Sequence, residues 1–422
     1  MSAKIRPLIL AVSVAAAFAA PIASAEVVKV AFIETLSGAF APIGQNQLRS
    51  YQTFTELAKE KKWAGEHSIE FVGFDNKGSP QESLNQLKSA IDQGYRYIAQ
   101  GNGSGVALAL IDAINKHNAR NPGKEVVFFN HSAIDPDLTN SKCSFWHFRY
   151  DANVDMKMEA LSNYLAKDPS IKKVYIIGQN YAHGHQVSRA AKEYLKLKRP
   201  DIEIVGDDLH PIAVTKDFSP YVAKIKASGA DAVITGNWGS DLALLIKAAK
   251  DSDLKTSFYT YYGATTGVPT AMGAAGAERV KSVSYWNLNS SKHLPKPLYE
   301  QGASIYEAYK KKFNDDFYNM STYSVVASFS KAIKEAKSTD PVKVAFALEG
   351  MKFQSLNGEV EMRKADHQLQ QPLFITTWTK TDGKEIKYDQ ENTGYGWRVD
   401  QKLESFVATQ PTSCQMKRPD RS

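Results

Sequence analysis

Nine short runs dense in β-branched and aromatic residues recur along the chain: KVAFIET (29–35), IEFVGFD (69–75), YRYIAQ (95–100), EVVFFN (125–130), KKVYIIG (172–178), IEIVGDD (202–208), ADAVITG (230–236), TSFYTYY (256–262) and VKSVSYW (280–286). Near-continuous apolar runs of this length read as strands covered on both faces. Between most of them lie helix-length segments with helical periodicity, at 45–62, 80–93, 105–118, 153–167, 184–198, 216–228, 239–250 and 297–315. Strands alternating with helices predict parallel sheets with helices on either side.

The strands are too many for one mononucleotide-like sheet, and 422 residues exceed what a single hydrophobic core usually holds. The fold class is therefore α/β, with two Rossmann-like parallel-sheet lobes. Their boundary falls near 145–152, where the pattern pauses at SKCSFWHFRYDAN. Further helices are expected at 320–336 and 341–349, then short extended pieces around Lys352–Met362 and Leu373–Trp378. A TIM barrel is the alternative architecture, but nine strands and a tail that does not repeat the unit fit it poorly.

Charge and composition refine this picture. The chain begins with Lys4 and Arg6, an apolar run from Leu8 to Ala20 and the small-residue site Ala23-Ser24-Ala25. This order reads as a secretory signal peptide over 1–25, cut before Glu26. A single-span anchor is the alternative, weakened by the short apolar core and Pro21. The formal charge of +7 includes the two cations of that leader, so the mature chain is mildly basic. Its lysine clusters fall at expected helix ends, where cations complement the dipole, and no nucleic-acid reading motif accompanies them. Cys143 and Cys414 are the two thiols. In an oxidising exterior they can form one bridge from the C-terminal tail to the middle of the chain, a pairing that sequence separation alone does not decide.

In open α/β sheets ligands sit beyond the carboxyl ends of the strands, which directs attention to the strand-to-helix junctions. After YRYIAQ comes Gly101-Asn102-Gly103-Ser104-Gly105 and then a helix. Free N–H groups at such a helix start, with the Ser104 hydroxyl, suit a carboxylate or phosphate. The spacing GxGxG is not the dinucleotide GxGxxG, so a nucleotide is disfavoured and a purely structural turn remains open. The next junctions carry His131-Ser132-Ala133, Asn180-Tyr181-Ala182-His183, Asn237-Trp238-Gly239-Ser240-Asp241 and Tyr261-Tyr262-Gly263-Ala264. They set rings beside polar anchors, either to enclose an apolar ligand body or simply to cover the sheet ends. His183 and His185 point apart on a helix, so no metal site is expected. No G-x-S-x-G, HExxH, Cys-His or C-x-x-C signature appears, and no cofactor is implied. Secretion, two lobes and polar-aromatic junctions without a reaction motif predict a small-solute receptor rather than an enzyme.

At this point the sequence resembles the periplasmic solute receptors of ABC importers, in the branched-chain amino acid binding family with the type I fold. The resemblance runs from about Val28 to Trp378. It rests on the order and spacing of KVAFIETLSGAFAPIGQNQLRSYQTFTELA, FDNKGSPQESLNQLKSAIDQGYRYIAQGNGSG, Ala133–Leu138, YAHG and DFSPYVAKIKASGADAVITG. It implies two lobes joined by three crossovers, with lobe one at 26–148 and 286–350 and lobe two at 149–285 and 351–385. Residues 386–422 form a C-terminal extension. It further implies ligand capture by lobe closure, an inner-membrane ABC permease as partner, and a protein that works as a monomer and binds no nucleic acid.

In family members that bind amino acids, hydroxyl and N–H groups of two junctions hold the ligand carboxylate. These map onto Gly103–Gly105, including Ser104 and Gly105, and onto Ser132 with Ala133. Tyr181 corresponds to the aromatic after the next strand, and Trp238 to a ring bordering the side-chain pocket. One departure stands out: the acidic residue expected to meet the ligand ammonium is Tyr262 here. A buried ammonium without an anionic partner is costly. An aromatic or other hydrophobic carboxylate is therefore expected, unless Asp241 or Glu34 supplies the charge for a branched-chain amino acid. A sensory ligand-binding module is a further alternative. The family's cysteine bridge within lobe one is also absent.

Overall fold

The computed structural model describes residues 25–420, so the leader expected over 1–25 lies, apart from Ala25, outside the described residues. The first lobe is built from β1 (Val27–Glu34), α1 (Ala41–Glu60), β2 (Ser68–Asp75), α2 (Pro80–Asp92), β3 (Tyr97–Gln100), α3 (Ser104–Arg120), β4 (Val127–Asn130) and β5 (His147–Arg149). Its five strands pair in the order β2-β1-β3-β4-β5, all parallel. Local chemistry sets the helix starts. At α2, Ser79 accepts the N–H of Glu82 and Pro80 occupies the first turn, where its missing N–H costs nothing.

The chain then crosses to α4 (Val154–Leu165), β6 (Lys173–Gln179), α5 (Ala182–Lys198), β7 (Glu203–His210), α6 (Ser219–Ser228), β8 (Ala232–Thr235), α7 (Gly239–Asp251), β9 (Ser257–Thr260), α8 (Val268–Met272) and β10 (Val280–Ser284). It returns through α9 (Lys296–Phe313), α10 (Ser321–Ala336), α11 (Pro341–Leu348), β11 (Lys352–Ser355), β12 (Gly358–Met362) and β13 (Leu369–Gln370). A third passage leads to β14 (Leu373–Lys380) and β15 (Tyr395–Leu403). The second sheet runs β15-β14-β10-β9-β8-β6-β7. It is parallel from β10 to β7, while β14 and β15 add on antiparallel. Two separate open sheets exclude the barrel. Strands β3, β4 and β8 are buried at every residue, as expected of strands covered on both faces.

Two placements depend on packing rather than local pattern. Strand β11, in the stretch grouped with lobe two by the sequence reading, lies beside α10, where the Ser324 and Ser355 hydroxyls share a hydrogen bond of 2.8 Å, and β12 pairs with β11 antiparallel. Helix α10 itself packs on the first lobe, where Tyr323 meets Phe54 and Trp63, and Phe329 meets Tyr97 and Phe129. Buried Arg149 pins this region to β5, its Nε donating to Gln368 Oε1 and its Nη1 to the Asp135 carbonyl. Beyond residue 385, β15 closes one edge of the second sheet. Cys143 and Cys414 are joined in a disulfide that ties the end of the chain to the segment before β5.

Candidate ligand-binding cleft

The junctions that follow β3 and β4 in the first sheet face those that follow β6, β8, β9 and β10 in the second, across a cleft of about 740 Å³ counted out to its mouth. Ser104, Ser132, Ala133, Tyr181, Trp238 and Tyr262 all line it. Gly105, also expected there, is exposed on the first turn of α3 and is not part of the lining.

The first-lobe wall rests on Glu34 at the end of β1. Its Oε2 accepts the N–H groups of Gly101 and Asn102, each at 2.9 Å, and Oε1 accepts that of Thr35. Burial pushes this carboxyl up to about 7 against the pull of those hydrogen bonds. Beneath lies His131, held down at about 3 by burial, its Nε2 3.9 Å from Glu34 Oε2. Gly101 must be glycine: a Cβ there would stand 2.5 Å from the His131 ring. Glu34 is thus committed to the loop backbone and is absent from the cleft lining. Asp241 is similarly engaged, accepting Gln179 Nε2 at 2.8 Å and the Ala213 N–H at 2.9 Å. The Oδ1 of Asp241 has no partner, but neither carboxylate lines the cleft.

At the next junction, Asn130 Oδ1 accepts the N–H groups of Ser132 and Ala133, at 3.2 and 2.8 Å. The expected backbone donors there are already occupied. The Ser132 hydroxyl accepts from Asn319 Nδ2 at 2.7 Å, which leaves its proton free to donate into the cleft. Helices α3, α5 and α7 all start at cleft residues, and none of the three carries a side-chain cap. The positive ends of α3 and α5 face the same space, while Asp241 in the first turn of α7 offsets that of the third.

The aromatic wall also holds the lobes together. Trp238 Nε1 donates to the Tyr181 hydroxyl at 2.8 Å, and its ring meets Phe40 of α1's cap with centroids 4.3 Å apart. Gly239 fits there because it has no Cβ, which would lie 2.9 Å from Ile43 Cδ1, and because its φ of +57° favours glycine. The Tyr262 hydroxyl reaches across to the Ser132 carbonyl and to Asp151 Oδ2, both at 3.3 Å. These contacts define a closed arrangement of the lobes.

Lys157 escaped the sequence reading, and His183 figures in it only as a junction residue unsuited to a metal. Lys157, on α4, lines the cleft with Nζ 4.4 Å from the Tyr262 ring centroid, while buried Asp151 balances its charge from behind. Burial lowers the Lys157 pKa and raises that of Asp151, and their mutual attraction opposes both shifts. His183 Nε2 donates to the Gly236 carbonyl at 3.0 Å, which leaves Nδ1 a buried acceptor without a partner. Burial holds this ring neutral, with its pKa at about 4. His185 instead meets Asn180 on the exposed side of α5, and no cluster among the described residues suits a metal ion. Among the described residues that line the cleft, Lys157 is the one cation and none is a carboxylate.

Two open α/β lobes closing on a cleft at their strand ends define a solute receptor of the type I periplasmic binding class. The chain belongs to the periplasmic binding protein family, which matches residues 27–384. It is 32% identical over 409 residues to the Leu/Ile/Val-binding protein homolog 4 of Brucella abortus, covering 94% of each chain. The crystal structure of a leucine-, isoleucine-, valine-, threonine- and alanine-binding protein from Brucella ovis, in a closed conformation, superposes with a TM-score of 0.81. That protein is 30% identical, and the match covers 94% of this chain and all of the other. A solute-binding protein of an ABC transporter from R. palustris, in complex with 4-hydroxybenzoate, has the same fold, with a TM-score of 0.74 and 22% identity over 90% of this chain and 97% of that one. The family comprises non-enzymatic periplasmic receptors that hand a small solute to an ABC permease.

Proposed function

We propose that this receptor captures a small carboxylate with an apolar or aromatic body and no ammonium group. The observation that carries the reading is the lining itself: Lys157, three uncapped helix starts and no carboxylate. An anion gains charge-assisted hydrogen bonds in such a space, whereas an ammonium meets no carboxylate in the lining. The carboxylate docks at the Ser104 and Ser132 hydroxyls and the start of α3, toward Lys157. Trp238, Tyr181 and Tyr262 then close over the body, and the permease recognises the closed form. The leader over 1–25 exports the chain, which acts as a monomer. The 4-hydroxybenzoate held by the R. palustris protein of the same fold is an acid of this kind.

A second reading, a branched-chain amino acid receptor, is favoured by the names of the Brucella relatives. It requires Asp151 to exchange Lys157 for the ligand ammonium. Calorimetric titration of refolded protein, free of co-purified solute, separates the two readings. Binding of benzoate or 4-hydroxybenzoate but not leucine supports the first, and the reverse order rejects it.

A further inference from the structure

Beside the cleft, toward the β14–β15 end of the second sheet, lies a second cavity of about 530 Å³ counted out to its mouth. It shares Ala264, Ser282, Ser284, Trp286 and Tyr318 with the first, so these five residues border both chambers and mark the neck proposed below to join them. The far wall comes from chain beyond the family match, which ends at residue 384: Tyr388, Asp389, Gln390 and Trp397.

That wall is built, not draped. Asn289 Oδ1 accepts the Tyr388 N–H at 2.9 Å, and Asn289 Nδ2 donates to the Tyr388 carbonyl at 2.9 Å. Trp397 Nε1 donates to Gln390 Oε1 at 2.8 Å, and Gln390 Nε2 passes the connection to the Ala264 carbonyl at the neck, at 2.7 Å. Opposite, Trp286 stacks on Phe317 with centroids 4.9 Å apart and planes 11° from parallel. The chamber is thus flanked by flat rings.

The two chambers differ in charge. The first has Lys157 and no carboxylate, while the second has Asp316 and Asp389 in its lining and neither lysine nor arginine. Asp316 is well used, taking the Tyr306 hydroxyl, Lys310 Nζ at 3.0 Å and the Glu391 N–H at 2.6 Å. Asp389 is not: Oδ2 accepts the Gly394 N–H at 3.0 Å, and Oδ1 meets Lys310 Nζ only at 3.9 Å. A carboxylate is directed to the first chamber, and a hydrogen-bond donor is welcome in the second.

We infer that the two chambers form one elongated site, in which the wall beyond residue 384 holds the far end of an aryl carboxylate whose distal ring carries a hydrogen-bond donor. The inference rests on the carboxylate reading of the first chamber. Its test uses calorimetry on the refolded mature chain with two probes, benzoate and 4′-hydroxybiphenyl-4-carboxylate. The wild type is expected to bind the long probe at least ~10-fold more tightly than benzoate, because rings and an acceptor add contacts. Leu288→Trp fills the second chamber and Tyr388→Ala opens its wall, and neither side chain lines the first. Each variant is expected to lose most of the long-probe advantage while binding benzoate within about twofold of wild type, which also reports that it folds. Equal binding of both probes by the wild type, or an undiminished advantage in both variants, overturns the second chamber and leaves the carboxylate reading standing. Binding of neither probe overturns both.

Discussion

The ammonium of Lys157 straddles the carboxylate of Asp151, 2.9 Å from Oδ1 and 3.1 Å from Oδ2, with both side chains buried. Removing one member of such a pair strands the other charge, at about 3–5 kcal/mol. Lys157→Met is therefore expected to destabilise the protein by that amount. Adding Asp151→Asn restores most of it, because the orphaned charge is gone. Carboxylate affinity does not return with stability: the double variant binds benzoate at least ~10-fold more weakly, the scale of one charge-assisted hydrogen bond. Urea unfolding and calorimetry read the two effects, and wild-type affinity in the double variant removes Lys157 from the site.

Trp238 spans the lobes by packing its ring against Phe40, while its indole N–H is fixed by Tyr181. Trp238→Ala is expected to weaken every ring-bearing ligand by about 2–4 kcal/mol, the scale for a buried aromatic anchor. An unchanged affinity removes Trp238 from the ligand wall.

Tyr262 lines the cleft, and its hydroxyl already meets Asp151. Tyr262→Glu is expected to improve leucine binding and to weaken benzoate about 10-fold or more, since like charges repel in a dry cleft. Titration of both ligands checks the ranking. The opposite order means that position 262 does not face the ligand's charged end.

Burial disfavours the charge of Glu34 and pushes its carboxyl up to about 7, from an ordinary value of 4.5. The native state thus holds a proton that the unfolded chain has released, so this group's contribution to stability is largest below pH 4.5 and is lost as pH rises toward 7. His131 works the other way: with its pKa down at about 3, its penalty shrinks as pH rises from 3 to 6.5. Glu34→Gln removes the first titration and keeps an acceptor for the loop. Whatever its constant offset, the variant is expected to gain on wild type by on the order of 2–3 kcal/mol between pH 5 and pH 8. Urea unfolding at those two pH values tests it, and a difference that is flat or of opposite sign contradicts the burial argument.

The disulfide between Cys143 and Cys414 closes a loop of sequence separation 271. Long loops lose the most unfolded-state entropy on closure, so reduction, or Cys143→Ser with Cys414→Ser, is expected to cost about 2–5 kcal/mol. Melting with and without reductant measures it. An unchanged melt shows that the tail adds no constraint on the unfolded chain.

Ser104, Ser132, Tyr181, Trp238 and Tyr262 were legible because each follows a strand, and open α/β topology brings strand ends together. Lys157 was not, since it sits inside a helix rather than at a junction. Its signal is a lysine on the apolar stripe of α4, spaced with buried Val154, Leu161 and Leu165. The capture of the Ser132 and Ala133 N–H groups by Asn130 depends on a side-chain conformation that spacing does not encode. Strand β15 was hidden for another reason. Its sequence YGWRVDQKL alternates only as far as Val399 and then runs through three consecutive polar residues, opposite a register shift in β14, so the pattern reads as irregular.

The central claim is that the cleft holds an anion without an ammonium. Its most direct test is a calorimetric titration of refolded protein beginning at Glu26 with benzoate and, in parallel, leucine. Benzoate is expected to bind with micromolar or tighter affinity while leucine gives no heat. Tight leucine binding with silent benzoate contradicts the claim and assigns Asp151 to the ligand ammonium instead.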